Sequence, residues 1–325
     1  MHVSLRAWVL LGVLSCLWGG SFLFTRVSVQ ELTPLMVVAL RLWGACLVLW
    51  CVVMWRGLSV PANWKRWSAF LVASLLSNVL PFSLISWAQL HLTAGVASIL
   101  NATTPLFGVL LAGFFLADES LTPTRLVGVL IGILGVSVLV AGPQFMAGSV
   151  DLADSSRLVG SLAQQGDGKF VMASLAVLTA ALCYALAGIF SRRFLGLHPL
   201  VAATGQLSCS SLVMLLACGV GLAQGQSWMK VSAGDISLLA WGCVLGLALL
   251  STALANLLYF QLLGLAGATF GMMVTFLIPL VAVLLGWVLL GERLSMIQGL
   301  GMGLIILSLL VTTGMLTHRL RHQKA

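Results

Sequence analysis

Residues 274–294 read VTFLIPLVAVLLGWVLLGERL, and residues 99–121 read ILNATTPLFGVLLAGFFLADESL. Each stretch sets a proline early in an apolar run, Pro279 or Pro105, and closes the run with acid: Glu292 in one, Asp118 and Glu119 in the other. A helix needs about 20 apolar residues to cross the hydrocarbon core of a bilayer. No water reaches the peptide groups there, so an apolar run of this length reads as a helix. The same pattern occurs twice, 174 residues apart, and the rest of the chain says why.

The surroundings are of one kind. Of the 325 residues, 60% are hydrophobic and 7% are charged, against about 25% charged in a soluble domain. Such a composition cannot cover itself with a water-facing surface, so the lipid bilayer is its solvent. Ten apolar runs can be drawn, at 7–28, 35–55, 68–89, 94–116, 123–142, 170–190, 199–222, 235–258, 266–290 and 296–316. The first is too long for a signal-peptide core and nine more follow it, so it reads as a span. Residues 143–169 are polar and contain Gly and Ser, and they read as a linker between halves. The expected fold is an all-α membrane protein of ten transmembrane helices. A five-helix unit occupies 1–142, and a second unit over 170–325 ends in a basic tail.

The formal charge of +8 is not a nucleic-acid signature, because the cations stand at the ends of apolar runs rather than in a basic patch. With the N-terminus inside, the cytoplasmic segments hold Arg6, Arg56, Lys65, Arg66, Arg125, Arg192, Arg193, Arg319, Arg321 and Lys324, and the outer segments hold Arg26, Arg157, Lys169, Lys230 and Arg293. Ten against five favours both termini in the cytoplasm of a cell (inner or plasma) membrane.

Sliding the second half onto the first by 174 residues pairs Ser77 with Ser251, Asn78 with Thr252, Ala94 with Ala268, Asn101 with Thr275 and Pro105 with Pro279. After one deletion Gly113 meets Gly286 and Glu119 meets Glu292; at a shift near 166, Trp18 meets Tyr184 and Arg26 meets Arg192. Each half holds five spans, an odd number, so the halves enter the membrane in opposite senses. Inverted repeats of this kind exchange an outward-open cavity for an inward-open one around a site near the midplane.

The stretches CLWGGSFLFTRV, LTPLMVVALRLW, TAGVASILNATTPLFGVLLAGFFLADESLT and GATFGMMVTFLIPLVAVLLGWVLLGERLS resemble the EamA-type family of drug/metabolite transporters. The resemblance spans roughly 7–142 and 170–316. It implies a ten-helix bundle around a central cavity and export of amino acids or related small metabolites. Sugar-phosphate, nucleobase or drug-like solutes are the alternatives within the family, and a non-transporting membrane receptor or assembly protein is the alternative outside transport.

Polar residues gather on few helices. The third run carries Ser74, Ser77, Asn78, Ser83, Ser86 and Gln89; the fourth Ser98, Asn101, Thr103 and Thr104; the eighth Ser251, Thr252, Asn256, Tyr259 and Gln261. The expected cavity candidates are Arg41, Asn78, Asn101, Thr104, Asn256 and Tyr259. Ala97, Asn101, Thr104 and Gly108 share one helical face. The fifth and tenth runs are nearly all apolar, with Gly128 and Gly132, and Gly299 and Gly303, in GxxxG spacing. That spacing lets backbones approach closely, either within the chain or in a homodimer through these two helices.

Pro105 cannot donate to the Asn101 carbonyl, nor Pro279 to that of Thr275, so both helices should kink. Each kink reads as a hinge, as a carbonyl offered to solute, or as a fixed bend. Arg41 stands seven residues beyond Pro34, about 10 Å along a helix, and is the clear intramembrane charge. It either attracts a carboxylate or phosphate on the solute, snorkels outward, or bonds backbone carbonyls. All eight carboxylates fall in loops or at span ends. Ion coupling through Asp118, Glu119 or Glu292 then stands beside uniport and exchange, and the same acids can simply favour the starts of the fifth and tenth helices.

Enzymatic chemistry finds little support. GxSxG and HExxH are absent, the five histidines are scattered, and the seven cysteines lie singly inside apolar runs. No catalytic set, metal site or cofactor is expected; the expected partners are a small-molecule solute and the lipid bilayer.

Overall fold

Helix is the regular element throughout the computed structural model, which describes residues 4–115, 123–146, 168–194, 196–225, 227, 233–271 and 274–312. Helix α1 (Leu5–Glu31) starts at Ser4, whose hydroxyl accepts from the Ala7 amide. Helix α2 (Pro34–Trp55) opens on proline, at the position where a missing N–H leaves no bond unmade. Helix α3 runs as Trp64–Ser74, widens to a π-helix over Leu75–Val79 and resumes as Leu80–Ala88. Pro81 stands two residues beyond the π-segment, and the Leu80 amide reaches back five residues to the Leu75 carbonyl. Helix α4 comes in two pieces, Ala94–Asn101 and Thr104–Phe115.

The later helices are α5 (Pro123–Met146), α6 (Gly168–Phe190) and α7 (Pro199–Ala223). Helix α8 begins as Leu238–Leu245, is π-helical over Gly246–Leu254 and continues as Ala255–Gly271. Helices α9 (Val274–Leu290) and α10 (Met296–Thr312) complete the set. The helix expected to end at 258 therefore continues to Gly271, because no proline or turn pair interrupts 259–265.

Seven helical stretches are long and apolar enough to cross a membrane: α1, α2, α3, residues 94–111 of α4, α6, α7 and residues 238–266 of α8. Three shorter apolar stretches, Leu126–Val140, Leu277–Leu290 and Met296–Val311, belong to α5, α9 and α10.

The helices alternate in direction, as their end contacts record. The side-chain Nε2 of Gln89, after α3, donates to the Phe22 carbonyl late in α1 at 2.8 Å. The carboxylate of Glu31, the last residue of α1, accepts from the amide and hydroxyl of Ser237, just before α8. Phe70, early in α3, stacks on Phe194 beyond α6 with centroids 5.3 Å apart. A Cβ at Gly205 in α7 would stand 2.5 Å from that ring. Phe70 and Gln89 are nineteen residues apart, about 28 Å along a helix, so these contacts mark two opposite ends of the bundle.

Helices α5 and α10 pack on each other within the chain. A Cβ at Gly132 would stand 2.6 Å from Ser308 Oγ, one at Gly135 2.9 Å from the Ile305 amide, and one at Gly301 2.9 Å from the Gly135 carbonyl. The seam thus uses Gly132, Gly135 and Gly301, whereas Gly299 and Gly303 have nothing within 4 Å of a built Cβ. This is the intrachain close approach that the glycine spacing allowed. Hydrogen bonds tie α2 to α7: Trp43 Nε1 donates to the Ser211 carbonyl at 3.0 Å and Trp50 Nε1 to Ser208 Oγ at 2.9 Å.

Candidate functional site

Between α1, α2, α3, α4, α6, α7, α8 and α9 lies a cavity of about 720 Å³. All six candidates from the sequence, Arg41, Asn78, Asn101, Thr104, Asn256 and Tyr259, line it. At one end the lining reaches Ser191 and Gly196, exposed residues between α6 and α7. A smaller recess of about 290 Å³, walled by Pro34, Trp87 and Gly221, holds none of the six.

The two π-segments bring polar side chains to the cavity. Each widens a helix by one residue per turn and rotates Ser77 and Asn78, or Ser251 and Thr252, onto the lining; such bulges are frequent at functional sites. They fall on residues that pair in the internal repeat. Asn78 Nδ2 donates to Ser210 Oγ at 3.1 Å, and Ser77 Oγ lies 3.2 Å from Gln206 Oε1. Ser251 Oγ donates to the Leu17 carbonyl at 2.8 Å, and Asn256 Nδ2 to the Thr252 carbonyl at 2.7 Å.

Arg41 lies inside the bundle, at 9% exposure. Its Nε donates to Thr252 Oγ1 at 2.8 Å, and its guanidinium carbon sits 3.8 Å from the centre of the Phe82 ring. It does not snorkel, and its bonding partner is a hydroxyl rather than a backbone carbonyl. Among the described residues no carboxylate pairs with it: the one salt bridge there joins Arg26 to Glu292. Thr252 is itself held by donating to the Leu247 carbonyl at 2.8 Å. Among the described residues the guanidinium is therefore held by a stack and a single hydrogen bond, with donors left over on its Nη side. Gln206, which stands opposite Arg41 when the halves are aligned at a shift of 165 residues, lines the same cavity.

The proline pair behaves unequally. Before Pro105 the helix is interrupted at Ala102 and Thr103, and the Asn101 carbonyl is taken by Thr104 Oγ1 at 2.7 Å. That carbonyl is thus occupied from its own chain, while Asn101 Oδ1 is buried without a hydrogen-bond partner among the described residues. Pro279 instead stands inside the continuous helix α9.

Several lining residues escaped the sequence reading, among them Ser21 and Thr25 of α1 and Phe82 of α3. Trp18, which meets Tyr184 in the repeat, faces the cavity together with it and lies 5.3 Å from the Tyr259 ring. That pairing of aromatic positions was the available signal. Conversely Gln261 is exposed and Gln89 is fully buried, so neither lines the cavity. Asp118, Glu119, residues 147–167 of the expected linker and the basic tail lie outside the described residues, while the linker's expected ends, 143–146 and 168–169, are helical and belong to α5 and α6.

Glu292 does not start the tenth helix. That start is capped by Ser295 Oγ, which accepts from the Gln298 amide at 3.2 Å while Gln298 Oε1 accepts from the Ser295 amide. Glu292 instead accepts from the Ala94 amide at the start of α4, at 3.1 and 3.0 Å.

Comparison with known proteins agrees with this architecture. The sequence pattern of the EamA-like transporter family matches residues 6–141 and 171–314. The chain is 22% identical over 308 residues to a protein of Bacillus subtilis named "Uncharacterized transporter YoaV", covering 94% of this chain and 96% of that one. It is 24% identical over 297 residues to the "Uncharacterized inner membrane transporter YedA" of Escherichia coli K12, covering 91% and 87%. A solved crystal structure superposes with a TM-score of 0.63 over 97% of this chain and 98% of that one, at 21% identity, a likeness of fold alone.

Proposed function

We propose, from the premise that this chain belongs to the EamA-like transporter family, that it is a secondary transporter moving small organic solutes with a carboxylate end through the central cavity. Amino acids or related metabolites are the substrate class, and export is the direction. Ten spans form two inverted five-helix repeats, over 1–142 and 170–325, joined by the linker 143–169 outside, with both termini in the cytoplasm. Alternating access follows from the two repeats exchanging conformations. The paired π-segments of α3 and α8 support the repeat, and the alternating helix directions support the inversion.

The observation that carries this reading is Arg41. An intramembrane cation costs about 2.5–3.5 kcal/mol at the centre of a span. Here it is buried against a cavity without a carboxylate partner among the described residues. A solute carboxylate supplies the missing charge and accepts from the Nη donors in the planar geometry that suits guanidinium. A single cation suits one carboxylate better than a phosphate dianion. Trp18, Tyr259 and Phe82 offer apolar faces to the rest of the solute, and Asn78, Asn101, Thr104, Asn256 and Gln206 offer polar groups. The solute is moved without chemical change. The test is uptake of radiolabelled solutes, screened by charge class, into liposomes holding the purified protein. Carboxylate-bearing solutes should accumulate and compete with one another. Uptake confined to cations or neutral solutes refutes the reading.

A further inference from the structure

The cavity is stoppered at the end opposite Ser191 and Gly196. Phe22 and Thr25 are its last lining residues on α1, and Arg26 follows them. Arg26 Nε lies 3.7 Å from Glu292 Oε1, and Arg26 Nη1 donates to the Gln89 carbonyl. The Glu292 carboxylate also accepts from the Ala94 amide. One carboxylate therefore joins three separate parts of the bundle: the end of α1, the start of α4 and the turn between α9 and α10. Its side chain is only 14% exposed, and the neighbouring Gln89 and Leu92 are almost wholly buried.

The packing beneath makes room for this joint. A Cβ at Gly286 would stand 2.6 Å from Glu292 Oε2, so the carboxylate occupies space that only glycine leaves. A Cβ at Gly19 would meet Val281 at 2.7 Å, and one at Gly95 would meet Val283 at 3.0 Å. Glycines on α1, α4 and α9 thus let those helices close on one another directly below Glu292. Gly291, with φ of 64°, turns the chain so that Glu292 folds back over the helix end.

We propose that Arg26, Glu292 and the Ala94 amide form a gate: joined while the cavity opens toward the α6–α7 end, and parted when it opens toward the other face. The gate rests on the transporter reading above for its role, but its existence can be tested without transport. For α9 and its following turn to leave α1 and α4, one carboxylate must give up both Arg26 and the Ala94 amide together. That gives the closed form a discrete, shared hold rather than a graded one.

The test is cysteine accessibility in the full chain with its seven native cysteines replaced. Ser21→Cys, on the cavity wall below the gate, reports access when an impermeant thiol reagent is applied separately to each face of the membrane. The parent should react quickly from one face and slowly from the gated one. Glu292→Gln keeps an acceptor for Ala94 but loses the ion pair; Arg26→Gln loses the same pair from the other side; Gly286→Ala displaces the carboxylate. Each should raise the slow rate about tenfold, the population shift expected when one charge-assisted interaction is lost. Ser295→Ala, which removes the α10 cap in the same turn but no gate contact, should leave it unchanged. Unaltered slow rates in the gate variants, or an equal rise in Ser295→Ala, overturn the gate. Three independent variants keep the test decisive if one fails to fold. A protein that moves no solute yet shows these rate changes would fail the transporter reading and keep the gate.

Discussion

Replacing Arg41 separates a binding cation from a structural one. In the solute-free protein the guanidinium holds one hydrogen bond to Thr252 and a stack on Phe82. These contribute about 1.5–3 kcal/mol, the donor being charged, and about 0.5–2 kcal/mol, against an intramembrane charge cost of about 2.5–3.5 kcal/mol. The terms nearly cancel, so Arg41→Gln should leave the thermal midpoint of the empty protein nearly unchanged. With a carboxylate solute the balance differs. Losing a charge-assisted contact forfeits about 1.5–3 kcal/mol, and at 1.4 kcal/mol per decade the apparent KM should rise roughly 10–100-fold. Arg41→Lys keeps the charge but loses the planar fork and the ring stack, so roughly tenfold is expected. Uptake into proteoliposomes gives KM for anionic and neutral solutes, and thermal unfolding in detergent gives stability with and without solute. A carboxylate that binds should raise the midpoint of the parent but not of Arg41→Gln, because only the parent gains binding energy. Normal transport of anionic solutes by both variants would refute the reasoning. So would a large fall in the midpoint of empty Arg41→Gln with equal loss of all solutes, which would make Arg41 a strut.

Three further outcomes are expected. Cysteines placed by Ser155→Cys and Lys324→Cys, in a background without the native cysteines, should differ in labelling by an impermeant reagent on intact cells. Position 155 should react and position 324 should not; reaction at 324 would break the inverted-repeat argument. Asn101→Ala and Asn256→Ala should lower transport at equal expression more than Ser137→Ala, because the first two line the cavity while Ser137 is exposed and bonds only the Ile133 carbonyl. Equal effects at all three would dissolve the distinction between lining and outer helices. Gly135→Leu should destabilise the protein by about 1–3 kcal/mol, the usual cost of overpacking, since a Cβ there meets the Ile305 backbone, whereas Gly303→Leu should be near neutral. Thermal unfolding compares the two, and an equal loss at Gly303 would place a second contact on that outer face.

The sequence by itself determined the class of solvent, the helical elements and the shortlist of cavity residues. Membrane insertion leaves few choices: apolar runs must be helical, and polar groups within them are too costly to scatter, so Asn78, Asn101, Asn256 and Tyr259 stood out before any coordinates. The pairing of Ser77 and Asn78 with Ser251 and Thr252 was likewise legible, and those residues carry the two π-segments. Partnership was not legible. From the sequence, Arg41 was open to water, to backbone carbonyls or to a solute carboxylate; packing placed it on Phe82 and against Thr252, 211 positions away. Glu292 was readable as the start of the next helix, yet the turn at Gly291 and the space left by Gly286 direct it to Ala94 and Arg26. The glycines of α5 and α10 announced a close approach, and the spacing named Gly132 of the seam, but on α10 it named Gly299 and Gly303 where the seam uses Gly301, and on α5 it passed over Gly135. The reason is common to all three. Local sequence states what a residue needs, whereas the rotation of each helix about its axis, set by every neighbour at once, decides which group supplies it.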